Sequence, residues 1–178
     1  MGKPKRINFE VIDDTKSEPY KILEKMRKFH SGVDEALIAL AWRKNLKPDK
    51  DGHLVLGKCI KASDLSREFS AYDFIILLNR EVWEDSAFTD DKKAALIDHE
   101  LCHAAGAVDE DGARYDERGR RVFRCRKHDI EEFYAIVQRH GCYKRDLELF
   151  AEALMKKRKT PLLNAVSAAE EAAKRDIQ

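Results

Sequence analysis

His99-Glu100-Leu101-Cys102-His103 is the pentapeptide in this chain with the clearest chemistry. Positions four apart on a helix lie on one face, about one turn apart. His99 and His103 can therefore offer two imidazole nitrogens to a single ion. Glu100 leans over the same place, where it takes a proton from a water on the metal rather than binding the metal itself. This H-E-x-x-H spacing is the pattern of zinc hydrolases, so the cofactor expected is Zn²⁺.

The flanking residues predict the helix that such a pair needs. Thr89 is placed to cap it, and Asp90 and Asp91 put negative charge in its first turn. Ile97, Leu101 and Ala104 form an apolar stripe that buries one side. Gly106 is the expected terminator. Cys102 lies off the metal face and is expected to be a buried structural thiol.

A catalytic zinc takes three protein ligands and leaves one position for water. Among His30, His53, His128 and His140, the best third ligand is His128, 25 positions after His103. It follows an expected hairpin and opens an expected helix, His128 to Gly141. Glu131 or Glu132 on that helix would instead make a His-His-Glu site. Asp98, Asp129 and Glu131 are candidate acceptors for imidazole N–H groups.

The rest of the chain must position these residues. With 178 residues it is long enough to bury a core unaided, and residues 1–160 read as one domain with a charged tail over 161–178. Pro19 to His30 has helical apolar spacing. Ala36 to Arg43, with a helix as the alternative, His53 to Ile60 and Tyr72 to Leu78 read as strands, with Pro48 to Gly52 as a hairpin loop between the first two and Gly57 as a bulge. Short strands are expected near Ala113–Tyr115 and Arg121–Cys125, and a last helix over Tyr143 to Arg158. The order of elements gives an α+β fold: a small, mostly antiparallel sheet packed on the motif helix, with further helices at the C-terminus.

Composition excludes several classes. The four cysteines form no C-x-x-C pair, which argues against a zinc ribbon. Net charge is +1, so there is no global nucleic-acid footprint. A local basic cluster, Arg118, Arg120, Arg121, Arg124, Arg126 and Lys127, leaves nucleic-acid contact as a disfavoured alternative. No run is long and apolar enough to span a membrane. The N-terminal MGKPKRINFEVIDD lacks the apolar core of a secretory signal, so the expected compartment is the cytosol.

Five segments, ALIALAWRK, HLVLGKCIKASDLSREF, YDFIILLNREVW, ALIDHELCHA and RKHDIEEF, together resemble the phage and prophage metallopeptidases of the zincin-like type. HELCHA is also similar to the SprT-like proteases, whose third zinc ligand is a later histidine, which favours His128. The chain differs from them in lacking a Cys-rich ribbon and in the position of Phe133. The resemblance implies a zincin-like metallopeptidase domain that acts on a peptide or protein, in the cytoplasm of a bacterial host if phage-encoded. It implies His99, His103 and His128 as zinc ligands and Glu100 as general base. It also implies an edge strand beside the metal helix that holds the substrate, for which Tyr72–Leu78 is the candidate. The alternatives are a structural zinc domain without catalysis and a DNA-associated SprT-like protein.

Overall fold

The computed structural model describes residues 8–157. Two compact units divide at Lys127 and His128. Residues 161–178, expected to form a tail, lie outside the described residues.

The first unit is built on a four-stranded mixed sheet. Strand β1 (Phe9–Val11) precedes helix α1 (Glu18–Arg27), which has Pro19 in its first turn and buries Leu23. Strands β2 (Ile38–Arg43) and β3 (Gly57–Lys61) follow, then helix α2 (Asp64–Phe69), strand β4 (Phe74–Asn79) and the short helix α3 (Arg80–Trp83). The Ser63 hydroxyl caps α2 by accepting from the Ser66 N–H at 3.1 Å. Helix α4 (Asp90–His103) carries the motif. The fold is thus α+β, as expected from the order of elements.

Strand order is β1-β2-β4-β3. β2 and β4 pair in parallel, while the two outer strands pair antiparallel. This corrects two expectations. β2 and β3 do not form a hairpin, because β4 lies between them. Nor is the Tyr72–Leu78 stretch an edge strand: both sides of β4 are paired. The physical reason lies in composition. Phe74, Ile76 and Leu78 are fully buried and Leu77 nearly so, and a strand apolar on both faces belongs in the middle. β3 reads Gly-Lys-Cys-Ile-Lys, and its lysines suit an edge. Gly57 is no bulge either, since its register against Leu78 runs unbroken into the rest of β3.

The core gathers Leu23, Val33, Leu40, Phe74, Ile76, Leu78, Ile97 and Leu101. It therefore joins the sheet to α1 and α4. Trp83 closes one end: its indole N–H donates to Glu18 at 3.1 Å, and Lys93 of α4 reaches the same carboxylate at 3.0 Å. Asp73 anchors the start of β4. It accepts from the Leu37 N–H at 2.9 Å and pairs with Arg67 of α2 at 2.8 Å, both side chains being largely buried.

Beyond α4 come the short strands β5 (Ala104–Gly106), β6 (Val108–Asp109), β7 (Gly112–Ala113) and β8 (Phe123–Cys125). β5 pairs with β8 and β6 with β7. The turn expected at residues 117–120 is present. Tyr115 bridges Arg121, and Gly119 takes a positive φ of 73°.

In the second unit, α5 (Tyr134–His140) ends at Gly141, and residues 145–157 are helical. The helix expected to begin at His128 begins six residues later. The Glu132 carboxylate stands just before it, accepting from the Phe133 N–H at 2.9 Å and from the Tyr143 hydroxyl, and pairing with Lys144 at 3.1 Å. These contacts hold its carboxyl down at about 2.

Removing the Asp73 carboxylate leaves Arg67 without its anion and the Leu37 N–H without its acceptor. Asp73→Ala is therefore expected to lower stability by about 3 kcal/mol, roughly 6–12 °C in melting temperature for a chain of this size. Thermal unfolding followed by circular dichroism checks this; a loss under 2 °C would mean the pair contributes little.

Candidate metal centre

Helix α4 presents its motif residues on different sides. Ile97 and Leu101 are completely buried and Ala104 nearly so, which fixes the helix against the sheet. His99 and His103 then stand together on the accessible side, ring centroids 5.0 Å apart and nearly perpendicular. Cys102 is exposed, not buried as expected, because the buried stripe runs through 97, 101 and 104 and leaves 102 outside it.

The helix stops at His103, three residues before the predicted glycine terminator. Ala104 turns extended and begins β5, so pairing with β8 ends the helix where no local signal does. Gly106 lies at the end of β5, where an added Cβ would meet an Arg121 guanidinium nitrogen at 2.4 Å. The pairing also orients the His103 ring. The Arg126 N–H donates to the His103 carbonyl at 2.8 Å, and His103 Nδ1–H donates to the Arg126 carbonyl, also at 2.8 Å. That bond places the proton on Nδ1 and the lone pair on Nε2, the tautomer a metal requires.

Glu100 is buried, with 3 % of its surface exposed. Its carboxylate accepts from the Cys59 backbone N–H of β3. Gly57 makes that approach possible: a Cβ there would stand 2.6 Å from Glu100 Oε1. Burial pushes the Glu100 carboxyl above its usual range, while His103 and the Cys59 N–H pull against it. The Cys59 thiol, also driven by burial, is pushed up to about 12 and stays protonated.

His30 and Asp98 form a further contact at 2.7 Å, tying the turn Ser31–Val33 to α4 beside the motif. Asp98 is thus engaged by a histidine that sequence spacing did not single out. The acceptor for His103 is a backbone carbonyl, which no residue type announces. His128 is exposed and opens the second unit, two residues after Arg126. His140 ends α5, and His53 stands in an exposed turn with Asp49.

The described residues bring two groups of possible ligands within reach of one ion. One is built on His99 and His103. The other, Asp49, Asp51 and His53, is exposed, and Asp49 Oδ1 is occupied by the backbone N–H groups of residues 51 and 53 at 2.9 and 2.8 Å. In the basic cluster, Arg118 and Arg120 are paired with Glu68 at 2.7 and 3.3 Å, and Arg120 also with Asp116.

Two imidazoles on successive turns, one with its tautomer set and a buried carboxylate between them, suit a divalent transition metal. The arrangement fits the H-E-x-x-H pattern of metal-dependent hydrolases. A family model described as "Putative phage metallopeptidase" matches residues 11–157, and the chain belongs to that family. It is in class a metallopeptidase, a hydrolase that acts on peptides or proteins with a metal ion. No curated protein and no solved structure matches it. Among the described residues no helix is long and apolar enough to cross a membrane.

The raised Glu100 carboxyl has a thermodynamic consequence in metal-free protein. A carboxyl with a raised folded-state pKa contributes stability below its unfolded value near 4.5, and that contribution is lost as pH rises through the folded value. Glutamine does not titrate. Chelator-treated Glu100→Gln is expected to melt about 2–4 °C above chelator-treated wild type at pH 8, roughly 1 kcal/mol. The gap should close below pH 4. An equal gap at both pH values would remove burial of the charge as its cause.

Proposed function

We propose that the chain is a zinc-dependent peptidase in which His99, His103 and His128 hold the ion and Glu100 is the general base. The observation that carries this is the buried Glu100 carboxyl, held against the edge of β3 between two histidines that share one face. A structural zinc site needs no such carboxylate, whereas a general base needs a carboxyl of raised proton affinity beside the metal ligands.

Zinc, when bound, acidifies water and polarises a peptide carbonyl. Glu100 takes the proton from that water as it attacks, then gives it to the leaving amine nitrogen. Burial suits both tasks, because it raises proton affinity toward the working pH. Cys59 N–H and the space at Gly57 hold the carboxylate in one place. His103 is held in its ligating tautomer by the Arg126 carbonyl.

His128 is favoured as third ligand by connectivity. The chain is bonded to His103 at both the N–H and the carbonyl of Arg126, and His128 follows two residues later. Glu132 is already committed to Tyr143 and Lys144. The substrate-holding edge, first expected at Tyr72–Leu78, is better assigned to β3, whose outer side faces Glu100.

Glu100→Gln keeps the size of the side chain and an acceptor for Cys59. It should retain zinc and fold while losing hydrolysis about 10²–10⁴-fold, measured on a protein substrate by appearance of fragments. Undiminished hydrolysis would remove Glu100 from the mechanism and return the site to a structural role.

A further inference from the structure

Two of the four cysteines, Cys59 of β3 and Cys125 of β8, lie in the first unit beside the motif, and the proposed reaction uses neither thiol. Register places Cys59. In β3, residues 57, 59 and 61 are half-buried while 58 and 60 are exposed. Cys59 therefore faces inward, level with the fully buried Ile76 of β4. Lys61, two residues along the same face, is level with Phe74.

β8 crosses the same ground and is fixed at both ends. Phe123 packs edge-on against Phe74, ring centroids 5.5 Å apart. Arg126 is bonded to His103 at both its N–H and its carbonyl. One turn back along α4, Glu100 lies on Cys59 and Gly57. β8 thus runs from the level of Lys61 toward the level of Cys59. Cys125 stands between these ends, two residues from Phe123 and so on the same side of its strand. The two thiols feel each other's charge: after burial, Cys125 is the next cause that pushes the Cys59 thiol up to about 12. Cys125 is exposed to reagents, whereas Cys59 is half-buried and stays protonated.

We propose that Cys59 and Cys125 are an oxidation-operated lock: a small disulfide joins them, and the bond clamps β3 to β8 around the motif. The exchange has two steps. The Cys125 thiolate attacks one sulfur of the small disulfide and releases the other half as a thiolate. Cys59 then loses its proton to water and attacks the Cys125 sulfur, releasing the second half. Two protein thiols are oxidised to one disulfide, and the small disulfide is reduced to two thiols. The second step is the slow one, because Cys59 is held protonated.

The Cys59 N–H holds Glu100, and the Arg126 carbonyl, next to Cys125, holds His103. A covalent tie between their strands restrains both contacts together. It also closes a long loop, which removes freedom from the unfolded state. Excess small thiol reverses the exchange.

The test uses metal-free full chain, incubated with glutathione disulfide at pH 8, digested without reduction and mapped by mass spectrometry. The peptide joining residues 59 and 125 should dominate over pairs with Cys102 or Cys142, although both of those are exposed. Oxidised protein should melt about 4–16 °C above reduced protein, and dithiothreitol should remove the gain. Amide exchange over residues 57–61 and 123–127 should slow at least tenfold on oxidation. Cys59→Ser should stop at the mixed disulfide on Cys125 and gain no melting temperature. The other readings are made on the wild type and stand even where the serine variant does not fold. Folded wild type that ends as the mixed disulfide on Cys125, that pairs Cys102 or Cys142 instead, or that gains neither melting temperature nor protection once joined overturns the lock.

Discussion

One close approach organises the site: the Glu100 carboxylate against the outer edge of β3. A carboxylate with 3 % exposure is costly unless something holds its charge. Here the Cys59 N–H does so, and the missing side chain at Gly57 makes room. That contact fixes the distance between α4 and the sheet. Ile97 and Leu101 make the same distance favourable by filling the space behind. His99 and His103, on the other side of the helix from that stripe, are thereby held beside the buried carboxylate.

A second constraint acts through the backbone. The β5–β8 ladder ends α4 at His103 and brings Arg126 back to it. One pair of residues thus sets the helix end, the histidine tautomer and the path of the chain into His128. The site depends on non-local pairing as much as on the motif. A change in the β5–β8 register would displace the Arg126 carbonyl and release the His103 ring without altering either histidine of the motif.

What was legible in the sequence follows that division. Helix α4, helix α1 and the apolar strands carry their own periodicity, and His99-Glu100-x-x-His103 carries its own chemistry, so local patterns sufficed. Strand order did not follow. The strong apolarity of Tyr72–Leu78 was readable, but its consequence, a central place that moves β3 to the edge, depends on which strand is costliest to expose. Gly57 offered a usable signal, since a glycine inside a strand marks either a bulge or a close backbone approach, and here it marks the approach to Glu100. The early stop of α4 and the late start of α5 at Tyr134 left no residue-level sign, because pairing with β8 and the contacts of Glu132 set them. The exposure of Cys102 was within reach: it lies off the 97–101–104 stripe.

The proposed centre uses three histidines, and the third of them is the part that α4 does not supply. Zinc retention against a graded chelator, compared between His128→Ala, Glu131→Ala and Glu132→Ala, tests it most directly. Loss of one ligand of three removes most of the affinity, whereas loss of a supporting partner costs about 10–100-fold. His128→Ala is expected to release zinc at a chelator concentration at which both glutamate variants keep it. Zinc retained by His128→Ala and lost from Glu132→Ala would contradict it and place a carboxylate in the site.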